Sequence, residues 1–382
     1  MASASDVAGI NLAGESLVGW NLNGLNLHGA KFNAADVANV TFSGAVLGSV
    51  DFQGSNVSES QLMSAADVTG VNLTGNDLSN FALSGIDLGG ALLINTNLDG
   101  ADLSGAHFVG ADLGGASLHG ATVGGADFTG STLFGADLRD SGIRDSQLLS
   151  AADVHGVNLS GADFSGVNFQ GINLSGATLA GVSFLKASLQ SANLSSADLT
   201  NADLNSANFS GADLSFANIA TGELHTADFS GANLAGAALG DASIEDGFVY
   251  DGHLDLTSGT TTLHSQGLAS LGASTTITGA TLSAPNGLRL EAGKTLTGFG
   301  TVQTPNDPDK PVLLDGDTVA QDGSLVFTGH VKAAGSFTGS VTFTGTFELA
   351  PQMPRTGRYC ARRETGPPAP VPLRRWHLHP VC

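Results

Sequence analysis

The chain has 382 residues, 53 of them Gly, with only 13% charged and 6% aromatic side chains, a composition that argues against a conventional globular core and for a repetitive fold. Asp and Glu outnumber Lys and Arg 35 to 14, for a net charge of −21. This argues against non-specific binding to nucleic acid or to an anionic membrane face and makes a basic partner the better match.

The charge divides the chain into three segments. Residues 1–250 carry 25 acidic against 4 basic side chains, residues 251–350 carry 9 against 4, and residues 351–382 carry 1 against 6. The last segment also holds both cysteines, Cys360 and Cys382, and seven of the eleven prolines. The opening Met1-Ala2-Ser3-Ala4-Ser5 has no basic start or apolar run, so no signal peptide is visible, and no stretch has the length and apolarity of a transmembrane helix.

From about residue 5 to 249 a period of five dominates. Leu103, Phe108, Leu113, Leu118, Val123, Phe128, Leu133 and Leu138 fall every five residues, a small residue stands two before most of them (Ala101, Ala111, Ala126), and Asp or Asn often lies between, giving the unit A-[D/N]-[L/F]-x-x. Five matches neither the 3.6 period of a helix nor the 2 of a strand, so the chain must turn within each unit. The large and the small residue point inward and the other three face water. Gly two after the large residue (Gly105, Gly110, Gly130) suits a tight turn with positive φ. A larger residue at the small site, as at Val71 and Phe81, is expected to widen the tube locally.

A second order overlies the first. The string Ser-Ala-[Ser/Ala]-Asp-Val recurs at 3, 64 and 150 and divides the array into blocks 3–63, 64–149 and 150–249. The spacing of Val7, Val68 and Val154 leaves one extra residue at each junction, near Met63 and Leu149, where a bulge or widened corner is expected. The first block opens on the string that elsewhere follows Ser-Gln-Leu, so upstream sequence is expected, and an open coil edge would allow end-to-end association.

This array resembles the pentapeptide-repeat family, whose fold is a right-handed quadrilateral parallel β-helix with four units per coil. The resemblance covers residues 5–249, and Ser196-Ala197-Asp198-Leu199-Thr200-Asn201-Ala202-Asp203-Leu204 shows it most clearly. The chain is thus read as all-β, with about twelve coils that stand only by stacking on one another.

In residues 250–350 the period of five lapses, but Thr261–His264, Thr275–Thr278, Leu288–Glu291, Ser324–Phe327 and Ser340–Phe343 alternate between Gly-containing breaks and read as strands. The passages 290–302 and 335–343 resemble less regular β-helical segments of bacterial exported and surface proteins, including autotransporter-like passengers. The tail, 351–382, with Arg355, Arg358, Arg362, Arg363, Arg374 and Arg375, reads as a disordered basic segment of foreign composition.

Candidate chemistry is sparse. Gly293-Lys294-Thr295 lacks the upstream glycine of a phosphate-binding loop, with Leu288 at that place and Gly287 one off. His377 and His379 with Cys360 or Cys382 match no zinc spacing, and His28, His107, His119, His155 and His225 are isolated at outward sites. The repeated Asp residues follow the repeat and read as a solvated face, and matches such as Asn72-Leu73-Thr74 are its by-products. The chain is therefore read as non-enzymatic, with no catalytic, cofactor or metal residues, no membrane insertion and no direct nucleic-acid binding. Two roles stay open: an exported or surface-displayed structural or protein-interaction rod of unknown partner, and, by the resemblance, an acidic DNA mimic that binds a type II topoisomerase. Carboxylates in a continuous stripe along one or two faces would mark the mimic.

Overall fold

In a computed structural model the described residues are 6–224 and 274–343 without interruption, together with shorter stretches of 227–271 and of 347–379. The chain divides into two compact units, Met1–Ala162 with Asn173–Thr178, and Asp163–Ile172 with Leu179–Cys382.

In the first unit each five-residue repeat makes one side of a four-sided coil. Asp102 forms a single parallel bridge to Ala82 in one neighbouring coil and Thr122 in the next, so the coil length is four repeats. Leu103 and Ala101 on either side point inward and are fully buried, as the large and small sites should be. Ser104-Gly105 then turn the corner, closed by the Ala106 N–H donating to the Leu103 carbonyl at 3.0 Å, with Gly105 at φ 66°. That sign identifies a type II turn, which favours Gly at its third position. Between coils the Leu103 N–H donates to the Thr122 carbonyl at 2.9 Å and the Asp102 N–H to the Phe81 carbonyl at 2.9 Å. Backbone pairing thus runs along the solenoid, which is why neighbouring coils must support one another.

Inside, like stacks on like. Phe32 lies on Phe52 with ring centroids 5.5 Å apart, and Phe108 on Phe128 at 5.1 Å. Polar small-site residues can use a local acceptor: Thr96 Oγ1 donates to the Leu73 carbonyl at 2.9 Å and Ser131 Oγ to the Phe128 carbonyl at 2.8 Å, whereas the buried Ser55 Oγ has no hydrogen-bond partner among the described residues. Val71 is fully buried, as a small-site residue should be, but Phe81 is only half-buried. The ring is larger than the site that the repeat offers, and part of it stays outside the tube.

The two junctions also differ from expectation. Each extra residue is absorbed by a one-and-a-half-turn helix, α1 (Glu59–Ser64) and α2 (Asp145–Ser150), and not by a β-bulge. A buried glutamine anchors each. Gln147 Oε1 accepts the Arg144 N–H at 2.9 Å, and its Nε2 donates to the carbonyls of Val123 at 2.8 Å and Ala126 at 2.9 Å in the preceding coil. Gln61 does the same with Ser58, Val37 and Val40. Where the helix draws the backbone off the ladder, the amide takes over its hydrogen bonds. The bridges confirm the arithmetic, with Val46 paired to Asp67 and Thr132 to Asp153, one residue beyond the usual interval.

The second unit opens with the same repeat, including a stack of Phe209 on Phe229 at 4.8 Å, and then changes to longer strands: β1 (Ser243–Glu245), β2 (His253–Leu256), β3 (Thr260–His264), β4 (Ala269–Leu271), β5 (Ser274–Ser283), β6 (Leu288–Leu290) and β7 (Thr295–Gln303). These are followed by β8 (Val312–Leu314), β9 (Asp317–Thr328), β10 (Val331–Ala333), β11 (Phe337–Phe343), β12 (Phe347–Leu349), β13 (Cys360–Arg363) and β14 (Trp376–His379). The long strands β5, β7, β9 and β11 pair in parallel as one sheet, and β4, β6, β8, β10 and β12 as another. Each long ladder changes register midway, at Thr278/Thr281, Gly298/Gly300 and Thr338/Ser340. Glycine is required there: a Cβ on Gly298 (φ 101°) would collide with the Ile277 carbonyl, and one on Gly339 (φ 83°) with that of Ala320. Four of the five strands read from the sequence fall inside β3, β5, β9 and β11, and the fifth, Leu288–Glu291, overruns β6 by one residue, so the β-solenoid continues in a less regular form.

Of the basic tail, only β13 and β14 are described, and His225 lies outside the described residues. Among the described residues no helix is long and apolar enough to cross a membrane.

Candidate interaction surface

The outward Asp and Asn sites have a use inside the repeat. The Ser104 N–H donates to Asp102 Oδ1 at 3.0 Å, two residues on, an Asx turn that fixes the corner. The arrangement recurs at all eleven aspartates that stand between a small and a large site in the first unit, from Asp6 to Asp153, and asparagine serves equally at Asn11, Asn21, Asn26, Asn72, Asn97 and Asn158. The motif accepts either residue because the turn needs one carbonyl-type oxygen and no charge. Hydrogen bonds from the hydroxyl and backbone N–H of the following Ser or Thr hold Asp77, Asp102 and Asp127 below the ordinary carboxylate range. Many aspartates also take a bond from an asparagine one coil on, as Asn26 to Asp6 at 3.1 Å and Asn97 to Asp77 at 3.0 Å, so like charges are kept apart along a face.

The carboxylates are accordingly scattered. By register, Asp6, Asp67, Asp87 and Asp127 lie on one face of the first unit, Asp51, Asp112 and Asp153 on the second, Asp36, Asp77 and Asp137 on the third, and Asp102 on the fourth. Only Asp67 and Asp87 occupy consecutive coils. In the second unit Asp203 bridges to Glu223, while Asp198, Asp213 and Asp228 stand on other faces beside asparagines.

The sequence-nominated groups do not converge. His119 Nδ1 lies 3.7 Å from Asp140 Oδ2, and His155 Nδ1 lies 2.5 Å from Asp153 Oδ1, while His28 and His107 are exposed on their own coils. Among the described residues no three His, Cys, Asp or Glu side chains could hold one metal ion. Gly293 and Lys294 form the turn between β6 and β7, with the Lys294 N–H donating to the Glu291 carbonyl at 3.2 Å.

Sequence reasoning missed the exposed large apolar residues. Trp20, Leu92, Val109, Phe134 and Phe216 all stand at outward, corner or small sites where the repeat has Asp, Asn, Ser, Thr, Ala or Gly. Their departure from the repeat at those positions was the available signal. Phe216 is 71% exposed at φ 58°, and Phe134 stacks on the His155 ring with centroids 4.2 Å apart.

The family described as pentapeptide repeats matches this chain in eight copies, over 82–120, 111–142, 148–181, 168–205, 187–221 and 207–246. HetL, a pentapeptide repeat protein involved in heterocyst differentiation regulation from the cyanobacterium Nostoc, is 31% identical over 63% of this chain and 90% of its own, with a TM-score of 0.20. The chain belongs to the pentapeptide-repeat family. A family protein from the Arabidopsis thaliana thylakoid lumen is 34% identical over 25% of this chain and 69% of its own, with a TM-score of 0.20. QnrB1, a plasmid-mediated fluoroquinolone resistance protein, is 23% identical over 60% of this chain and 91% of its own, with a TM-score of 0.24. No curated protein matches the chain.

Proposed function

We propose that this pentapeptide-repeat protein is a non-enzymatic protein-interaction scaffold. The observation that carries the reading is the position of the carboxylates: they are corner acceptors distributed over all four faces of the first unit and, except at Asp67 and Asp87, separated along a face by uncharged or basic side chains. A DNA mimic needs a continuous acidic stripe in place of the phosphate backbone, and this scatter does not provide one. Family membership supports the non-enzymatic reading, because pentapeptide-repeat proteins are generally structural or interaction proteins. Display outside the cell belongs to the same proposal and is supported by the irregular β-solenoid of β5–β12, the kind of segment that the sequence likens to exported passengers.

The test is DNA supercoiling by gyrase in a titration with the full chain, beside an acidic globular control. The scaffold leaves supercoiling unchanged at high concentration. Inhibition at sub-micromolar concentration by this chain and not by the control would replace the scaffold with the mimic.

A further inference from the structure

On the face of the first unit that carries Asp51, Asp112 and Asp153, one rung of the outer side-chain ladder is missing. The Asn95 N–H donates to the Gly114 carbonyl at 2.9 Å and the Gly115 N–H to the Phe134 carbonyl at 2.7 Å, so Ile94, Gly114 and Phe134 occupy the same corner position in three successive coils. Gly114 has no side chain, and Ile94 and Phe134 stand two strand spacings apart, about 9.6 Å. A flat group held between two apolar surfaces needs about 7–8 Å, one van der Waals contact on each side.

The walls are set for such a group. Phe134 leans away from the gap: its ring stacks on His155 at 4.2 Å, and its Cε2 lies 3.4 Å from where a Cβ of Gly156 would stand. Over Gly114, by contrast, a Cβ would meet only Asp112 Oδ1 at 3.1 Å and the Phe134 carbonyl at 3.9 Å. One ring face of Phe134, a residue 49% exposed, is thereby left toward the gap, with Ile94 across it in the same corner column. At the edge, Asp112 Oδ1 accepts the Gly114 N–H at 3.0 Å, and Oδ2 has no hydrogen-bond partner among the described residues.

We infer that this gap is a single-residue slot for an arginine of a basic partner protein. The guanidinium is planar and weakly hydrated, it stacks on an aromatic face, and its edge pairs with a carboxylate; Phe134 supplies the face and Asp112 the carboxylate. Charge argues for this occupant over an aromatic one, because residues 6–162 carry 16 Asp and Glu against three Lys and Arg, and of those three Arg139 is already bound to Asp137 at 2.6 Å. The inference rests on the scaffold reading and names the partner chemistry of one face.

The test is an NMR titration of the full chain with a capped Gly-Ser-Arg-Ser-Gly peptide, alongside the same peptide carrying citrulline in place of arginine. The arginine peptide shifts the Gly114 amide and the Phe134 ring resonances, and the citrulline peptide does not. Gly114→Leu fills the slot and abolishes the shifts; the position lacks positive φ, and most corners carry a side chain there, so this variant folds. Phe134→Ala weakens binding about 3- to 10-fold through loss of the ring face, and Asp112→Asn, which keeps the Asx turn, weakens it by a similar factor. Shifts that persist in Gly114→Leu, equal shifts with citrulline, or no shift at tens of millimolar peptide would each overturn the slot. None of these results alters gyrase supercoiling, so failure of the slot and failure of the scaffold reading are separately visible.

Discussion

Replacing Gln147 by Leu should open the solenoid at the junction that carries α2. The side chain is 8% exposed and makes three hydrogen bonds, accepting from Arg144 and donating to Val123 and Ala126. Leucine keeps the volume and removes every partner. A buried carbonyl left unpaired costs about 1–3 kcal/mol; two such groups, sharing one site and partly reached by water, give a loss of about 2–4 kcal/mol. Native-state hydrogen exchange should register it as faster exchange of the amides around Val123–Ala126 and Leu148, with the coils near Phe42 unchanged, and urea unfolding should register a lower midpoint. Gln147→Glu should be at least as damaging at neutral pH, because it sets a charge against two carbonyl oxygens. A loss below about 0.5 kcal/mol in both variants would refute the view that the glutamine replaces the missing ladder bonds.

Phe128→Ala removes a fully buried ring from the Phe108 stack and should cost about 3–5 kcal/mol in urea unfolding. Gly110→Val at φ 66°, where a Cβ meets nothing within 4 Å, isolates the backbone term and should cost about 1–2 kcal/mol, with Gly110→Asn milder. Acid should weaken the repeat. The folded state holds Asp77, Asp102 and Asp127 below the ordinary carboxylate range, so their contribution is complete above that range and is lost as pH falls below it through the folded values. A thermal midpoint that stays level down to about pH 5 and declines below pH 4 is the expected profile.

Much of this was legible in the sequence for physical reasons. A period of five forces a corner per unit, and the volumes of Leu103 and Ala101 decide which sites face inward. The single-residue excess between Val7, Val68 and Val154 located both junctions, but not their form. The helix was hidden in Ser-Gln-Leu, because a glutamine's value there depends on carbonyls such as those of Val37 and Val40, 24 and 21 residues upstream. The strands around Thr275 and Val341 followed from alternation, whereas the glycines at their bends acquired meaning only once Gly298 was found against the Ile277 carbonyl. The aspartates were read as a solvated face, and the Asx turn they make was missed although the interchange of Asp and Asn already pointed to an acceptor. The Phe134 slot depends on Ile94 and Gly114, twenty residues apart from one another in each step, and no local pattern shows it.

The central claim is that the outward aspartates are corner acceptors before they are charges. Its most direct measurement is thermal and pH-dependent unfolding of a chain in which ten of the eleven Asx-turn aspartates of the first unit, all but Asp112, are replaced by Asn. Asn makes the same turn at Asn11 and Asn97, so the account predicts a folded solenoid at neutral pH whose first unit no longer loses stability on acidification. A chain that fails to fold at neutral pH, or that keeps the full acid sensitivity of the parent in that unit, would contradict it.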